Sequence, residues 1–262
     1  MQCPCSAVRR SEVQCSAVQC CPVPCCTVPV ASEEEVKALE EELAAQVLES
    51  LNLALEEPKP HYDEQAELAD VYALVGSEPS HEVAPESSRK LRLIDAINEA
   101  LGQALERHDN LVFMGQDIAE YGGVFKATDG LLERFGAARI RNTPLCESAI
   151  VGAGVGLSVE GFKSMVEMQF SDFVTEAMTQ ICNQAAKLHY RWGQSVDMVL
   201  RMPTGAGMAA GPFHSQSTEA WFARVPGLKV VYPSTPAQAK GLLLRAFEDP
   251  NPVLFFEHKN LY

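Results

Sequence analysis

The chain has 262 residues, enough for one sizeable α/β domain with an additional segment, and its 21 basic and 35 acidic side chains give a net charge of −14. The acidity lies in the first third, since residues 1–88 hold 4 Lys and Arg against 17 Asp and Glu, whereas residues 89–262 hold 17 against 18. With no basic cluster, nucleic acid is a poor partner. No stretch approaches the roughly 18 apolar residues that a membrane-spanning helix needs, so no membrane insertion is expected.

Residues 1–31 form a cysteine-rich leader. Seven of the nine cysteines lie in the first 26 residues, within a sequence that repeats CSAV. The spacings do not form a paired CxxC array, so we expect a disordered leader, with a thiolate metal cluster as the alternative. No apolar stretch follows Arg9 and Arg10, which argues against a secretory signal. We therefore expect a cytoplasmic location in which Cys146 and Cys182 stay reduced.

The next segment, residues 32–57, has the pattern of an amphipathic helix. Apolar residues recur every three or four positions, with glutamates on the other face. Ser32 and Glu35 can form a capping box at its start, and Pro58 can end it. Residues 58–88 are acidic and proline-rich, which predicts a linker without a packed core.

Residues 89–262 alternate between helical and strand patterns. A helix is predicted along the face that includes Leu93 and Leu105, followed by a short strand that ends at Gly115. Further strands are predicted at Arg139–Asn142, Ser164–Met168, Val196–Arg201, Leu228–Tyr232 and Val253–Phe256. Further helices are predicted at Gly130–Phe135, Glu147–Glu160, Ser171–Trp192 and Pro236–Glu248. This alternation predicts the α/β class, with a parallel sheet of about six strands and helices on both faces.

Ligands of such sheets bind beyond the carboxyl ends of the strands. Three segments follow predicted strands there: one runs through Glu147 into a glycine-rich helix, one contains Gln169 and Phe173, and one is a glycine-rich loop that ends at His214. Each has a plain structural alternative: a favourable charge at a helix N-terminus for the glutamate, core packing for the aromatic residue, and an inert loop position for the histidine.

Seven motifs in one order resemble a known family. They are QDIAEYGGVFKATDGLLERFG, RNTPLCESAIVGAGVGLS, EMQFSDF, NQAAKLHYRWG, GPFHSQSTEAWF, PGLKVVYPSTP and EDPNPVLFFEHKNLY. Together they resemble the transketolase-like pyrimidine-binding domain in the β subunit of thiamine-diphosphate-dependent 2-oxoacid dehydrogenases, the E1 component. The GGVF, NTPLCE and YRWG stretches are more similar to the branched-chain (2-oxoisovalerate) type than to the pyruvate type.

The resemblance implies a cofactor site. Glu147 matches the glutamate that hydrogen-bonds N1′ of the cofactor's aminopyrimidine, and a carboxyl group suits that partner because the two can share a proton. Leu145, Gln169 and Phe173 match positions that line the pyrimidine pocket, where some relatives have tyrosine in place of Phe173. His214 matches a histidine associated with proton transfer when the acyl group passes to lipoamide.

Two further positions are implied by the same resemblance. Gln116 stands where many relatives have a glutamate thought to belong to a proton path between paired sites, and an amide cannot carry a proton in that way. A potassium site of the family matches Asp249 and Asn251, with backbone oxygens from about Met198 and Ala246, although a plain turn explains EDPNP nearly as well.

The implied function is half of an E1 active site. Residues 32–73 resemble the last helix and tail of the E1 α subunit, which suggests a piece of a fused α–β polypeptide. The chain has no GDG sequence with a downstream asparagine, so Mg²⁺ and the pyrophosphate site are expected from an α-type partner in a shared homo- or heterodimeric site. A 2-oxoacid is the implied substrate and a lipoyl-bearing E2 acyltransferase the implied acceptor. A pyruvate or acetoin dehydrogenase E1β, or a non-catalytic assembly domain, are the alternatives.

Overall fold

The computed structural model describes residues 31–76 and 89–262. The predicted cysteine-rich leader, up to residue 30, lies outside the described residues, as does the part of the predicted linker at residues 77–88. The chain divides into two compact units between Tyr62 and Asp63.

Helix α1, Glu33–Glu56, confirms the helix predicted in the first unit. The capping box is formed: Glu35 N donates to Ser32 Oγ at 3.2 Å, and Ser32 N donates to the Glu35 carboxylate at 2.7 Å. These two bonds satisfy backbone donors that the first turn would otherwise leave unpaired. None of the 24 residues of the helix is buried, so its apolar stripe is exposed.

The second unit begins earlier than the sequence suggested. Residues 58–88 were expected to be linker, yet a short helix, α2, spans Glu64–Ala69, and Ala73 is only 7% exposed. The carboxylate of Asp63 caps this helix by accepting hydrogen bonds from Gln65 N and Ala66 N. Composition did not indicate this packing because the Ala73 contact is made by backbone groups with a residue 178 positions away.

The six predicted strands are confirmed as one parallel sheet in the order β2-β1-β3-β4-β6-β5. They are β1 Leu111–Gly115, β2 Ile140–Asn142, β3 Lys163–Glu167, β4 Met198–Thr204, β5 Lys229–Val231 and β6 Val253–His258. The register pairs Gly115 with Glu167, and Glu167 in turn with Arg201. The carboxyl ends of the three central strands therefore lie side by side.

Helices cover both faces of the sheet. The remaining α-helices are α3 Leu93–Arg107, α4 Leu131–Phe135, α5 Glu147–Val159, α6 Leu188–Trp192, α7 Glu219–Phe222 and α8 Pro236–Ala246. Alternate strand residues point to two apolar clusters, so Phe113 and Phe255 pack with α3 and α8, while Val166 and Leu200 pack with α5. No helix in the described part of the chain is long and apolar enough to cross a membrane.

Helix α5 lies close to the sheet at a glycine. A Cβ atom on Gly154 would stand 2.8 Å from Val166 Cγ2 and 2.9 Å from Met198 Sδ, so a larger residue would push the helix outward. Because Glu147 opens the same helix, this contact also determines how far that carboxylate lies from the ends of the strands.

The long helix predicted over Ser171–Trp192 is instead broken into three pieces. A 3₁₀-helix spans Ser171–Ala177, a π-helical turn spans Gln180–Ala185, and α6 follows. Ser and Asp side chains that bond to nearby groups compete with regular helix formation. Here Ser171 Oγ donates to Thr204 Oγ1, and Asp172 accepts a bond from Gln216 N. The helical pattern of the sequence could not reveal these partners, because Thr204 and Gln216 lie more than 30 residues away along the chain.

A buried arginine links three neighbouring strands. Arg201 on β4 is fully buried and makes bonds of 2.7 and 2.5 Å from Nε and Nη2 to the two carboxylate oxygens of Glu257 on β6. Its Nη1 pairs with Glu167 on β3, and Tyr262 Oη donates to Glu257 at 2.6 Å. We refer to these four residues as the Arg201 cluster.

Burial determines the protonation behaviour of this cluster. It raises the pKa of Glu167, with Arg201 acting in the opposite direction, and it raises the pKa of Tyr262 well above its ordinary value. Burial alone would lower the pKa of Arg201, but Glu257 and Glu167 raise it above its usual range. The arginine is therefore charged, and it is the group that makes two buried acids tolerable.

We expect Arg201→Met to lower the free energy of unfolding by roughly 3–5 kcal/mol, because two buried carboxyl groups lose their counter-charge. The loss should shrink at mildly acidic pH, where Glu167, whose pKa is raised by burial, takes up a proton and no longer needs that charge. Chemical denaturation at several pH values measures both effects. Arg92→Met is the matched control, because Arg92 forms an exposed ion pair with Asp95, and such pairs contribute little to stability. Equal losses in the two variants would contradict the role given to the Arg201 cluster.

Candidate active site

A cavity of about 930 Å³ lies beyond the carboxyl ends of the central strands. It is bounded by the residue that follows β1, the start of α5, the segment after β3 and the loop after β4. Its lining residues are Gln116, Leu145, Cys146, Glu147, Ser148, Ala149, Gly152, Gln169, Phe170, Phe173, Glu176, Gln180 and His214. The cavity therefore brings together all five residues that the sequence nominated for the cofactor site and for catalysis. Their individual roles stay predictions.

Glu147 is the buried acid of this cavity. It opens α5, is 7% exposed, and accepts a hydrogen bond on Oε1 from Gln116 Nε2 at 3.2 Å. Among the described residues, no group donates to its other oxygen, Oε2. The positive end of the helix favours a negative charge at this position, as the plain structural alternative proposed. That alternative does not account for an acid that is buried and also lines a cavity.

Three rings form one wall of the cavity. The ring of His214 packs edge-on against Phe170 and Phe173, with centroid distances of 4.9 and 5.4 Å and interplanar angles of 88° and 85°. Its Nδ1 is buried and has no hydrogen-bond partner in the described part of the chain. A buried ring nitrogen without a partner is costly unless a ligand or water satisfies it.

Gln169 and Leu145 line other parts of the cavity. The amide of Gln169 donates to the Asp117 carboxylate at 3.2 Å and, at 3.5 Å, to the backbone oxygen of Gln116, so it links the residues after β3 and β1. Leu145 is 79% exposed at the rim. A side chain of this size at a cavity rim provides an apolar contact for a ligand or for another protein surface.

The base of the His214 loop is held by Asp172. Its Oδ1 accepts a hydrogen bond from Gln216 N at 3.0 Å, while the backbone oxygen of Gln216 accepts from Gly205 N at 2.9 Å and from Thr204 Oγ1 at 3.1 Å. The two ends of the loop, at Thr204–Gly205 and at Gln216, are therefore bonded to each other, and His214 lies two residues before Gln216. Asp172 also adjoins Phe173, which contacts the histidine ring.

The residues nominated for potassium lie away from this cavity, at the end of the sheet where β4 and β6 begin. Asp249 Oδ2 lies 2.5 Å from Lys229 Nζ, and Asp249 Oδ1 accepts from the backbone and side-chain nitrogens of Asn251. The amide oxygen of Asn251 accepts from Ala73 N, and the backbone oxygen of Ala246 accepts from Asp249 N. Donors therefore already engage these oxygens, and as arranged they do not fit a cation. We derive no step through potassium.

No group of three or more His, Cys, Asp or Glu side chains stands together as a metal site among the described residues. The cysteine cluster considered for residues 1–31 falls outside that range.

Sequence reasoning missed several features of the cavity and its surroundings. Gln180 and Glu176 also line the cavity, and they were hidden because the segment was read as one regular helix. A π-helical turn of this kind often marks a functional site. The Arg201 cluster did leave a signal, because charged residues interrupt three apolar strands: Glu167 and Glu257 near the carboxyl ends of theirs, and Arg201 in the middle of β4.

We expect Asp172→Ala to speed amide hydrogen exchange at Gln216 by roughly 10- to 100-fold, since a hydrogen bond to a charged acceptor contributes about 1.5–3 kcal/mol. Asp172→Asn retains an oxygen acceptor and should restore much of the protection. Exchange at Gln216 that is unchanged in the alanine variant would show that the loop is held by its other bonds.

Comparison with known proteins agrees with this geometry. Residues 89–262 match the model of the family described as "Transketolase, pyrimidine binding domain". Among solved structures, the chain is similar to "Split gene transketolase, inactive beta4 tetramer", with a TM-score of 0.50 and 20% identity over 64% of this chain and 50% of that one. At this identity the likeness concerns the fold alone.

The curated relatives are more similar in sequence. The 2-oxoisovalerate dehydrogenase subunit beta of Bacillus subtilis is 51% identical over 171 residues, 64% of this chain and 52% of the relative. The mitochondrial 2-oxoisovalerate dehydrogenase subunit beta 2 of Arabidopsis thaliana is 49% identical over 180 residues, 68% of this chain and 50% of the relative. The pyruvate dehydrogenase E1 component subunit beta of Acholeplasma laidlawii is 46% identical over 174 residues, 66% and 53% of the two chains.

The chain thus spans about half the length of the curated relatives it matches. The match to the family model covers the whole parallel sheet and every residue that lines the cavity. The chain belongs to the transketolase pyrimidine-binding domain family.

Proposed function

We propose that this chain contributes the pyrimidine half of a thiamine diphosphate site in the E1 component of a 2-oxoacid dehydrogenase. The observation that carries the proposal is Glu147, a buried acid in a cavity walled by Phe170 and Phe173, whose Oε2 has no donor among the residues that the structure describes. Both its charge and its surroundings suit a flat, polar heterocycle.

The residues present fit the aminopyrimidine ring. Aromatic walls suit a planar ring, and the unpartnered nitrogen of His214 and the amide of Gln169 are polar groups in the same cavity. When bound, thiamine diphosphate supplies the electron sink for decarboxylation of a 2-oxoacid. The chain's own residues have to hold and orient the ring.

Glu147 would hold a proton in common with the pyrimidine nitrogen. Its Oε1 is oriented by Gln116, and Oε2 remains for the ligand. Because Gln116 is an amide, it can donate a hydrogen bond to the carboxylate but cannot relay a proton to a second site. Position 116 therefore lacks the carboxyl group that a proton path through this residue would use.

His214 would deliver a proton in the later transfer step. Its ring is held by Phe170 and Phe173 and its loop by Asp172, so its position is defined before a ligand arrives. This preorganisation suits acid–base work at a departing sulfur of a lipoyl group.

The remaining parts of the site would come from partners. We propose an α-type pyrophosphate domain that supplies Mg²⁺ and completes a shared dimeric site, and a lipoyl-bearing E2 as the acyl acceptor. The relatives named for 2-oxoisovalerate, at 51% and 49% identity, favour a branched-chain 2-oxoacid over pyruvate, for which the named relative is 46% identical. A cytoplasmic location also stays a prediction.

We expect Glu147→Gln, in an enzyme reconstituted with its α-type partner, to slow C2 hydrogen–deuterium exchange of the cofactor by at least ~10²-fold. The amide keeps the shape of the side chain but cannot share a proton in the same way. Nuclear magnetic resonance of quenched samples measures the exchange. Glu160→Gln, at the exposed opposite end of α5, is the matched control and should exchange like wild type. A normal rate for Glu147→Gln would show that the acid serves the helix alone.

We expect His214→Ala to separate the two halves of the reaction. With an artificial electron acceptor the variant should still decarboxylate substrate, while acyl transfer to a lipoyl domain should fall by at least ~10²-fold, because only transfer needs a proton at the departing sulfur. Parallel assays of the two activities measure the difference. Full retention of both activities would remove His214 from the proposed mechanism, and a failure of Glu147→Gln to impair either assay would remove the cofactor site itself.

A further inference from the structure

The segment of residues 63–76 lies on the pyrimidine-binding domain through directed polar contacts. After α2 it has no regular secondary structure, yet it reaches α6, the residue before β5, β5 itself and the residue pair before β6. Nothing in the proposed chemistry uses this face of the domain, which lies at the β5 edge of the sheet.

The central contact joins the side-chain amide of Asn251 to the backbone of Ala73. Ala73 N donates to Asn251 Oδ1 at 2.8 Å, and Asn251 Nδ2 donates back to the Ala73 oxygen at 3.0 Å. One side-chain amide thus provides the pair of bonds that an adjacent strand would provide. Asn251 is 2% exposed, and its own Nδ2 and backbone nitrogen are bound to Asp249. The amide is therefore held in this orientation by the domain.

The neighbouring contacts add side-chain selectivity. Tyr72 Oη donates to the backbone oxygen of Leu228 at 3.2 Å, and Lys229 Nζ lies 5.7 Å from the centre of the tyrosine ring, within range of a cation–π contact. The backbone oxygen of Asp70 lies 3.0 Å from His189 Nδ1. The domain therefore contacts the Tyr72 side chain and the backbone on either side of it. The side chain of Leu74 is 94% exposed.

This pattern differs from that of an element of the core. Core elements of this domain are held by apolar clusters, and Ala73 is the one residue of the segment that is buried. Main-chain bonds from a preset amide, together with a neighbouring aromatic contact, are the features by which proteins bind extended peptides. A contact of this size is weak alone, and covalent attachment raises its local concentration to the millimolar range.

We propose that Asn251, Leu228, Lys229 and His189 form a peptide-binding site, and that residues 63–76 are its tethered ligand. The segment opens without unfolding of the sheet, and a separate peptide of the same sequence can take its place. This site is independent of thiamine diphosphate and of the proposed function. In it, Asn251 binds the chain's own backbone at Ala73.

The test uses the full chain and a fluorescein-labelled peptide of residues 63–76. The double variant Tyr72→Ala, Ala73→Pro removes the phenol and the backbone donor, since proline has no N–H. We expect it to bind the labelled peptide saturably in fluorescence anisotropy, with wild type binding at least ~10-fold more weakly because its own segment competes. A peptide that carries Ala73→Pro should not bind, and a chain with Leu74→Ala should behave like wild type.

Amide exchange of the wild-type chain gives a second, independent measurement. Exchange at Ala73 should be slower than in a free peptide and faster than at the buried amides of β6, because the segment opens locally. Two binding results would overturn the proposal: the folded double variant fails to bind the peptide, or the double variant and wild type bind it equally well. An Ala73 amide that exchanges as slowly as the buried amides of β6 would also overturn it, because the segment would then open only when the sheet unfolds. A concentration-dependent wild-type dimer that the double variant lacks would also overturn it, since the ligand would then come from a second copy.

Discussion

The position of the candidate site depends on one charged interaction, the pairing of Arg201 with Glu167 and Glu257. These three side chains lie on β4, β3 and β6, and segments that line the cavity follow β3 and β4. Gln169, Phe170 and Phe173 follow Glu167 within six residues, and the His214 loop follows Arg201 after the end of β4. Because burying two acids is tolerable only beside a fixed cation, the cluster favours one register of the three strands.

The cavity combines elements that differ in rigidity. Glu147 belongs to a helix packed closely on the sheet through Gly154, so its backbone position is set by the core. His214 belongs to a glycine-containing loop, and its position depends on two phenylalanine rings and on the bond between Asp172 and Gln216. This difference is compatible with the roles we propose for them, in which the acid stays in contact with one ring and the histidine admits a bulky second substrate.

The residue beside Glu147 at position 116 is a neutral amide and not a second acid. Gln116 donates to Glu147 at 3.2 Å, whereas a glutamate at that distance would place two carboxyl groups in contact. The acid thus has a permanent orienting partner and no acidic neighbour at that oxygen. At the opposite end of the sheet, Asn251 is also a buried amide with two roles. It hydrogen-bonds both to Asp249 and to the backbone of Ala73.

The sequence by itself determined the sheet and the six strands, because local periodicity predicts them, and the parallel-sheet rule places the segments with Glu147, Gln169 and His214 at one edge. The grouping of Leu145 and Phe173 with them came from the resemblance to a known family. Only the tertiary structure decided the three-piece segment after Ser171, the docking of residues 63–76 and the pairing of Arg201. Each depends on partners distant in the chain, such as Gln216 for Asp172 and Asn251 for Ala73. Local propensity carries no record of such partners, so their bonds override it only once the chain has folded.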